Sequence, residues 1–143
     1  MRALFDVNFL LALLDQEHIF HARARSWWSA ERQHGWASCP LSQNGFVRII
    51  SQRSYSRPRS SADAISMLAR AVARPDHTFW PDSISVLDGS LIDHSRVLGP
   101  RQLTDIYLLA LAVHRGGRLV TIDRSISLGA VKGACREHLV VVA

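Results

Sequence analysis

Short apolar runs alternate with longer amphipathic segments along the chain, which is the pattern of strands connected by helices. The run Ala3–Phe5 predicts a first strand, and the apolar residues of Val7–Leu14 predict a helix directly after it. A second helix is expected over residues 20–32, because apolar side chains recur there at helical spacing and Gly35 can end it. A short strand over 36–39 then begins a second strand–helix unit.

The middle of the chain carries weaker signals. A helix is expected over 42–50, where the first residue is a serine that can cap it. Residues 53–60 have the Pro, Ser and Arg content of an exposed loop, and residues 62–73 return to helical composition. A strand over 77–80 and a short helical segment over 89–97 are expected to follow.

The last third of the chain predicts a helix over 104–114, a strand over 118–122 that follows the glycine pair 116–117, and a final strand over 139–142. Strands separated by helices favour right-handed crossovers and a parallel sheet that is covered on both faces. We therefore predict an α/β fold with three layers, α/β/α, around a central, mainly parallel sheet.

The composition is that of one globular domain. The 143 residues are 48% hydrophobic and 20% charged, so a core can form without disulfides, and we expect both Cys39 and Cys135 to be buried. No apolar run approaches the roughly 20 residues of a membrane span, and Asp6 interrupts the N-terminal apolar segment, so we expect a cytoplasmic protein that is not bound to a membrane. The formal net charge of +5 favours a polyanion or an acidic protein as partner.

Three aspartates occupy positions from which they can meet at one edge of the predicted sheet. Asp6 and Asp123 each follow a strand directly, and Asp105 lies in the first turn of a helix that starts from the same edge. Each alone can be a helix or turn cap. Together they would repel one another unless a cation balanced them, and carboxylate oxygens are ligands that suit Mg²⁺ or Mn²⁺.

Several other polar residues are candidates for supporting roles. Asn8 can hold the Asp6 carboxylate through a hydrogen bond or cap the helix. Tyr55 can stack an RNA base, or it can lie in a solvated loop. Four arginines can contact RNA phosphates, although solvated or ion-paired roles are as plausible: Arg53, Arg57, Arg59 and Arg124. Three further aspartates can supply an auxiliary carboxylate or cap loops: Asp82, Asp88 and Asp93.

Four segments together resemble the successive motifs of PIN-domain ribonuclease toxins of the VapC type. They are DVNFLLALL at 6–14, CPLSQNGFVR at 39–48, LTDIYLLALA at 103–112 and LVTID at 119–123. The resemblance covers nearly the whole chain and implies a single PIN domain over 1–143. It further implies a Mg²⁺-dependent endoribonuclease, with Mn²⁺ as a substitute, that cleaves structured RNA such as tRNA or rRNA, forms a homodimer and is inhibited by a VapB-type antitoxin.

The motif around Gln43 departs from the family pattern, which usually has a glutamate there. Asp6, Asp105 and Asp123 match the family's metal-ligating aspartates, and Gln43 matches its fourth catalytic position. Glutamine keeps an oxygen ligand but lacks the negative charge that strengthens binding of a hard cation. Two readings stay open: an endoribonuclease with weakened metal binding, and a PIN-like protein that binds RNA or antitoxin with little or no catalysis.

Two other α/β classes with acidic pockets fit less well. A receiver-like domain requires a lysine near a late strand end, and the only lysine of the chain is Lys132. A haloacid-dehalogenase-like phosphatase also requires a lysine and a second aspartate two positions after the first, where this chain has Asn8.

Overall fold

Five short strands form one parallel sheet in the computed structural model, which describes residues 1–142. They are β1 (Ala3–Phe5), β2 (Trp36–Ser38), β3 (His77–Phe79), β4 (Arg118–Thr121) and β5 (Leu139–Val141). Their order in the sheet is β3-β2-β1-β4-β5. Since β1 and β4 are neighbours, with Phe5 opposite Val120, the chain leaves both strands side by side at the same edge.

Five α-helices cover the sheet: α1 (Val7–Leu14), α2 (His21–Glu31), α3 (Pro40–Ile50), α4 (Ser61–Val72) and α5 (Leu103–His114). Successive residues of a strand point to opposite faces, so Leu4 and Phe5 belong to two different cores. Phe5 packs with residues of α1 to α4, whereas Leu4 packs with α5 and with Leu119. The predicted three-layer α/β/α fold with a parallel sheet is therefore confirmed.

The start of α3 differs from the sequence prediction. The helix begins at Pro40, with Cys39 as its N-cap, and not at Ser42. Proline favours the first helical position because its fixed φ suits the helix and its missing N–H needs no partner there. Ser42 still stabilises the start, since its hydroxyl group accepts a hydrogen bond from the Cys39 N–H at 3.0 Å.

Gly45 allows α3 to pack closely on α1. A Cβ atom at this position would lie 2.6 Å from Cγ2 of Val7, well inside van der Waals contact. Val7 follows Asp6 directly, so this glycine brings α3 against the first residue of α1. A glycine inside a helix is unfavourable on its own, and here the close approach explains it.

The segment between β3 and α5 is mostly irregular, and the helix expected over 89–97 is not formed. Only a single 3₁₀ turn, His94–Arg96, lies within that range, and a second one, Pro100–Gln102, leads into α5. The side chain of Asp93 accepts the Ser95 N–H, which caps the first turn. An antiparallel bridge between Ile92 and Val131 joins this segment to the loop after β4.

Cys39 is buried as expected, but Cys135 is exposed. Cys135 precedes the 3₁₀ turn Arg136–His138, which leads into β5, and its thiol lies 3.3 Å from Nδ1 of His138. Within residues 1–142, no helix combines the length and the apolar composition that a membrane crossing requires.

Candidate metal centre

Asp6 lies at the carboxyl end of β1 and caps α1. One carboxylate oxygen accepts the Phe9 N–H at 2.7 Å, and the Asp6 N–H donates to the Val120 carbonyl at 3.1 Å, which holds the residue against β4. Only 2% of Asp6 is exposed. Burial raises the pKa of this carboxyl to about 7, and the negative charges of two other aspartates add to the rise against the lowering effect of its hydrogen bonds.

The two other aspartates are Asp105 and Asp123. Asp105 is in the first turn of α5 and is half-buried, and burial together with the charge of Asp123 raises the pKa of its carboxyl. One oxygen of Asp123 accepts both the backbone N–H and the hydroxyl group of Ser125, at 2.8 and 2.7 Å. Thr121 links the site, because its hydroxyl oxygen accepts the Asp123 N–H at 2.9 Å and a hydrogen bond from its side chain lowers the pKa of Asp6.

No basic side chain of the described residues forms an ion pair with Asp6, Asp105 or Asp123. The described residues therefore offer no positively charged side chain that balances these three carboxylates. Within residues 1–142, the carboxylate oxygens of these three aspartates do not all lie within 4.8 Å of one another. The group has the chemistry of a hard-cation site that includes water, since Mg²⁺ usually keeps several waters in proteins.

Gln43 is half-buried on α3, and its side chain forms a hydrogen bond with Ser38, the last residue of β2. Its side-chain nitrogen donates to the Ser38 hydroxyl at 2.9 Å, and that hydroxyl lies 2.8 Å from Nε2 of His77. The structure thus gives the Gln43 amide a partner in the sheet, and its role near a metal stays a prediction.

Asn8 does not make the predicted hydrogen bond to Asp6. Its side chain is exposed on α1, and within the described residues the Asp6 carboxylate is held by Phe9 and Thr121 instead. The physical reason is local: Asp6 is itself the N-cap residue, so its carboxylate is directed at the free N–H groups of the helix start.

The basic loop is tied to the body of the protein through a buried carboxylate. Asp15, with 1% of its side chain exposed, lies 3.2 Å from a guanidinium nitrogen of Arg59 and accepts the Tyr55 hydroxyl at 2.6 Å. This bond gives the Tyr55 phenol a structural partner within the protein, and the alternative in which it stacks a base stays a prediction. Arg57 forms an exposed ion pair with Glu17 at 3.6 Å.

A cavity of about 630 Å³ adjoins the aspartates. Asp105 and Asp123 line it, whereas Arg53, Arg57 and Arg124 are not among its lining residues. Two arginines that sequence reasoning missed line it instead: Arg96 and Arg101. For Arg101 the sequence held a signal, because it precedes Asp105 by four residues in the turn that leads into α5, whereas Arg96, nine residues before Asp105, reaches the cavity through the irregular segment.

The remaining aspartates of the middle segment act as caps. Asp82 accepts the N–H of Leu41 at 3.2 Å, whereas Asp88 and Asp93 accept hydrogen bonds from serines two residues further along the chain. These contacts account for the three side chains without a metal.

A further group of possible ligands consists of Cys135, Glu137 and His138. Nδ1 of His138 already accepts the Cys135 N–H at 2.9 Å, so this imidazole nitrogen closes the turn.

Comparison with solved structures first defines the class of fold. VapBC2 from Rickettsia felis, solved bound to a DNA fragment from its promoter, matches with a TM-score of 0.61 and 11% identity over 86% of this chain and 89% of the other. VapC20 from Mycobacterium tuberculosis, described as a sarcin–ricin loop cleaving toxin, matches with a TM-score of 0.58 and 11% identity over 81% and 85%. At such identity the likeness shows the fold, that of VapC-type structures.

Sequence comparison then defines the family. The family model of the PIN domain matches residues 3–131. Ribonuclease VapC44 of Mycobacterium tuberculosis is 56% identical over 97% of this chain and 98% of its own length. Ribonuclease VapC39 of the same organism is 42% identical over 93% and 96%. The chain therefore belongs to the PIN-domain family and, within it, to the VapC group.

Proposed function

We propose that this protein is a Mg²⁺-dependent endoribonuclease that acts as the toxin of a toxin–antitoxin pair and cleaves structured RNA such as tRNA or rRNA. Its relatives are named ribonucleases, and one matching structure contains a VapBC complex. We further propose that the protein forms a homodimer in the cytoplasm and is inhibited by a VapB-type antitoxin. The formal net charge of +5 favours an RNA substrate.

The observation that carries this proposal is the convergence of Asp6, Asp105 and Asp123 at the carboxyl edge without a basic partner among the described residues. Such a donor set fits Mg²⁺, with Mn²⁺ as a substitute. When bound, the cation supplies an activated water and stabilises negative charge on the phosphate that is attacked.

The residues of the chain position this chemistry. Asp6 is fixed by the Phe9 N–H and by the neighbouring strand. Ser125 occupies one oxygen of Asp123 with two hydrogen bonds, which leaves the other oxygen free to act as a ligand. Asp6 holds its proton up to about pH 7 when no cation is present, so cation binding near neutral pH releases a proton from this carboxyl.

Cleavage of a mixed cellular RNA pool, measured against Mg²⁺ concentration, tests the proposal. We expect cleavage that requires Mg²⁺ or Mn²⁺, that stops with EDTA and that is lost in Asp105→Asn. Asp88→Asn is the matched control, because Asp88 is an aspartate of the middle segment that only caps a turn. Mg²⁺-dependent cleavage that persists in Asp105→Asn would contradict the assignment of the metal site.

The alternative function, an RNA- or antitoxin-binding protein with little catalysis, rests on Gln43. The same experiment separates the two functions, because a binding protein would retain RNA on a filter but leave it intact at saturating Mg²⁺. Mapping the 5′ and 3′ ends of any products, with Asp6→Asn as the inactive control, would then identify the RNA and the site of cleavage.

A further inference from the structure

The cavity beside the aspartates is too large to serve a metal ion alone. Its volume is about 630 Å³, whereas a Mg²⁺ ion with six waters fills roughly 200 Å³ at about 30 Å³ per water. Cavities of several hundred cubic ångströms are the size of small-molecule sites. Most of this space is therefore free for part of a substrate that is bound next to the carboxylates.

Two segments form the walls of this cavity and are fixed to each other. Residues 95–102 line one side and residues 125–130 the other. At the base, the Asp93 N–H donates to the Ala130 carbonyl at 2.8 Å, next to the antiparallel bridge described above. At the rim, the Leu98 N–H donates to the side-chain oxygen of Gln102 at 3.0 Å. The first bond joins the two segments to each other, and the second fixes the conformation of residues 98–102 within one of them.

Part of the wall of this cavity is apolar, whereas a hydrated metal ion would require only polar contacts. Leu98 is 82% exposed at the rim, and Ile106 is 6% exposed at the floor. Ile126 and Ala130 contribute further apolar surface. The flat face of a nucleobase can pack on such surface once it is unstacked from its neighbours, and unstacked bases are the usual target of sequence-dependent RNA recognition.

Two arginines complete the cavity. Nε of Arg96 lies 3.4 Å from the carboxylate of Asp93, which directs the guanidinium toward Gly129, where a Cβ atom would be 3.4 Å from its Nη1. Arg101 forms no ion pair with any residue of the described chain. Both are exposed, and guanidinium groups bind phosphate oxygens well.

We propose that this cavity binds one unstacked nucleotide of the RNA strand next to the cleaved bond, with the base against Leu98 and Ile106 and the adjoining phosphates at Arg96 and Arg101. This inference rests on the proposed nuclease function, because it assigns part of the substrate to that same site. If the cavity binds this nucleotide, its shape helps to determine which base can occupy the position next to the cleaved bond.

A fluorescent base tests the proposal without cleavage. Hexa-adenylate RNA that carries 2-aminopurine at one of its successive positions is titrated with the protein in EDTA. Because the lining residues of the cavity include no aromatic side chain within the described chain, uptake of the base relieves stacking and raises its fluorescence. We expect a saturable rise at one internal position and a loss of affinity when that nucleotide is replaced by an abasic one.

Leu98→Ala should weaken this binding about tenfold, which corresponds to about 1.4 kcal/mol. Leu87→Ala is the matched control, because Leu87 is 83% exposed, as Leu98 is at 82%, but lies outside the cavity. We expect Leu87→Ala to bind as the wild type does. Equal affinities in the two variants, or an absence of any fluorescence rise with the wild type, would overturn the proposal.

The salt dependence of the same titration tests the arginines. Arg101→Ala should reduce the slope of log affinity against log salt by about 0.7 if one phosphate contact on a single strand is lost. Arg70→Ala, an exposed arginine on α4, should leave the slope unchanged. A change in both variants, or in neither, would refute phosphate contact at Arg101.

The two proposals fail in different ways. Wild-type protein that cleaves RNA with Mg²⁺ but shows no 2-aminopurine signal in EDTA would refute the nucleotide site and leave the nuclease standing. A protein that takes up the base but does not cleave at saturating Mg²⁺ would refute the nuclease and show that the cavity only binds RNA.

Discussion

The side-chain nitrogen of Gln43 donates a 2.9 Å hydrogen bond to the hydroxyl group of Ser38. That hydroxyl lies 2.8 Å from Nε2 of His77. Burial lowers the pKa of the His77 imidazole, and the charge of Arg2 lowers it further, so the neutral ring can accept from Ser38. The three side chains form a chain of hydrogen bonds that runs from α3 to β3 and depends on a donor at position 43.

Gln43→Glu reverses the direction of these hydrogen bonds and adds a negative charge on α3. The glutamate cannot donate, so the Ser38 hydroxyl must turn toward it, and His77 is then favoured as a protonated donor. We expect the pKa of His77 to rise, measured by NMR titration of its ring protons, and the affinity for Mg²⁺ to increase in calorimetry.

Gln43→Met serves as the control for shape, since it keeps the length of the side chain without charge or donor. We expect Gln43→Met to leave the Mg²⁺ affinity at or below that of the wild type. If Gln43→Glu changed neither the Mg²⁺ affinity nor the cleavage rate, position 43 would have no role in the metal environment.

Asp6 makes stability depend on pH in the absence of cations. Its pKa is about 7 in the folded protein, above the ordinary value of 3.8 for an aspartate, so the folded state binds more protons than the unfolded state between these pH values. The free energy of unfolding therefore decreases as pH rises from about 4 to about 7. Asp6→Asn keeps the acceptor for the Phe9 N–H but removes the charge. We expect the variant to be more stable than the wild type at pH 8 in EDTA, by on the order of 2 to 4 kcal/mol.

Urea unfolding at pH 5 and pH 8, with and without Mg²⁺, checks this expectation. Mg²⁺ should raise the midpoint of the wild type at pH 8 more than that of Asp6→Asn, because the variant keeps only Asp105 and Asp123 as anionic ligands for the cation. If the urea midpoint of the wild type in EDTA were no lower at pH 8 than at pH 5, this would contradict a buried, uncompensated carboxyl at position 6.

The convergence of the aspartates followed from the sequence because it depends on chain direction. Asp6 and Asp123 follow parallel strands, and parallel strands end at one edge. The apolar runs of β1 and β4 are short but bounded by clear signals, the aspartate after the first and Gly117 before the second. Neither inference required knowledge of distant contacts.

Other features depend on contacts that a local pattern does not contain. Tyr55 has the surroundings of an exposed basic loop, yet its partner is Asp15, 40 residues away in the chain. The walls of the cavity likewise depend on the bridge between Ile92 and Val131, which joins two irregular loops. The prediction of a helix over 89–97 was wrong for the same reason. Hydrogen bonds to distant backbone and to side-chain caps, and not helical hydrogen bonds, pair the backbone polar groups of this segment.

Tyr55→Phe removes the 2.6 Å hydrogen bond to the buried carboxylate of Asp15. Burial acts to raise the pKa of Asp15, but the bonds from Tyr55 and Arg59 outweigh it and hold the pKa below its usual range. We expect the variant to be less stable by about 1–3 kcal/mol at pH 7, because a charged acceptor loses a buried partner.

The pH dependence of this loss of stability distinguishes the Tyr55–Asp15 hydrogen bond from a contribution of packing alone. A carboxyl with a lowered pKa contributes stability above its unfolded-state pKa and loses it as pH falls through the folded-state value. The difference between wild type and Tyr55→Phe in urea unfolding should therefore shrink at strongly acidic pH. Arg57→Ala, which removes only an exposed ion pair with Glu17, should change stability by less than about 1 kcal/mol. An equal loss in both variants would contradict the role assigned to Asp15.

Gly45→Ala tests whether close packing of α3 on α1 positions the metal centre. The added Cβ would lie 2.6 Å from Cγ2 of Val7, and overpacking of this kind costs about 1–3 kcal/mol, although alanine alone favours a helix. Val7 follows Asp6, so a shift of α1 should also weaken Mg²⁺ binding. We expect the double variant Val7→Ala, Gly45→Ala to recover both the unfolding midpoint and the Mg²⁺ affinity relative to Gly45→Ala. Recovery of stability without recovery of Mg²⁺ binding would show that this helix contact supports the fold but does not position Asp6.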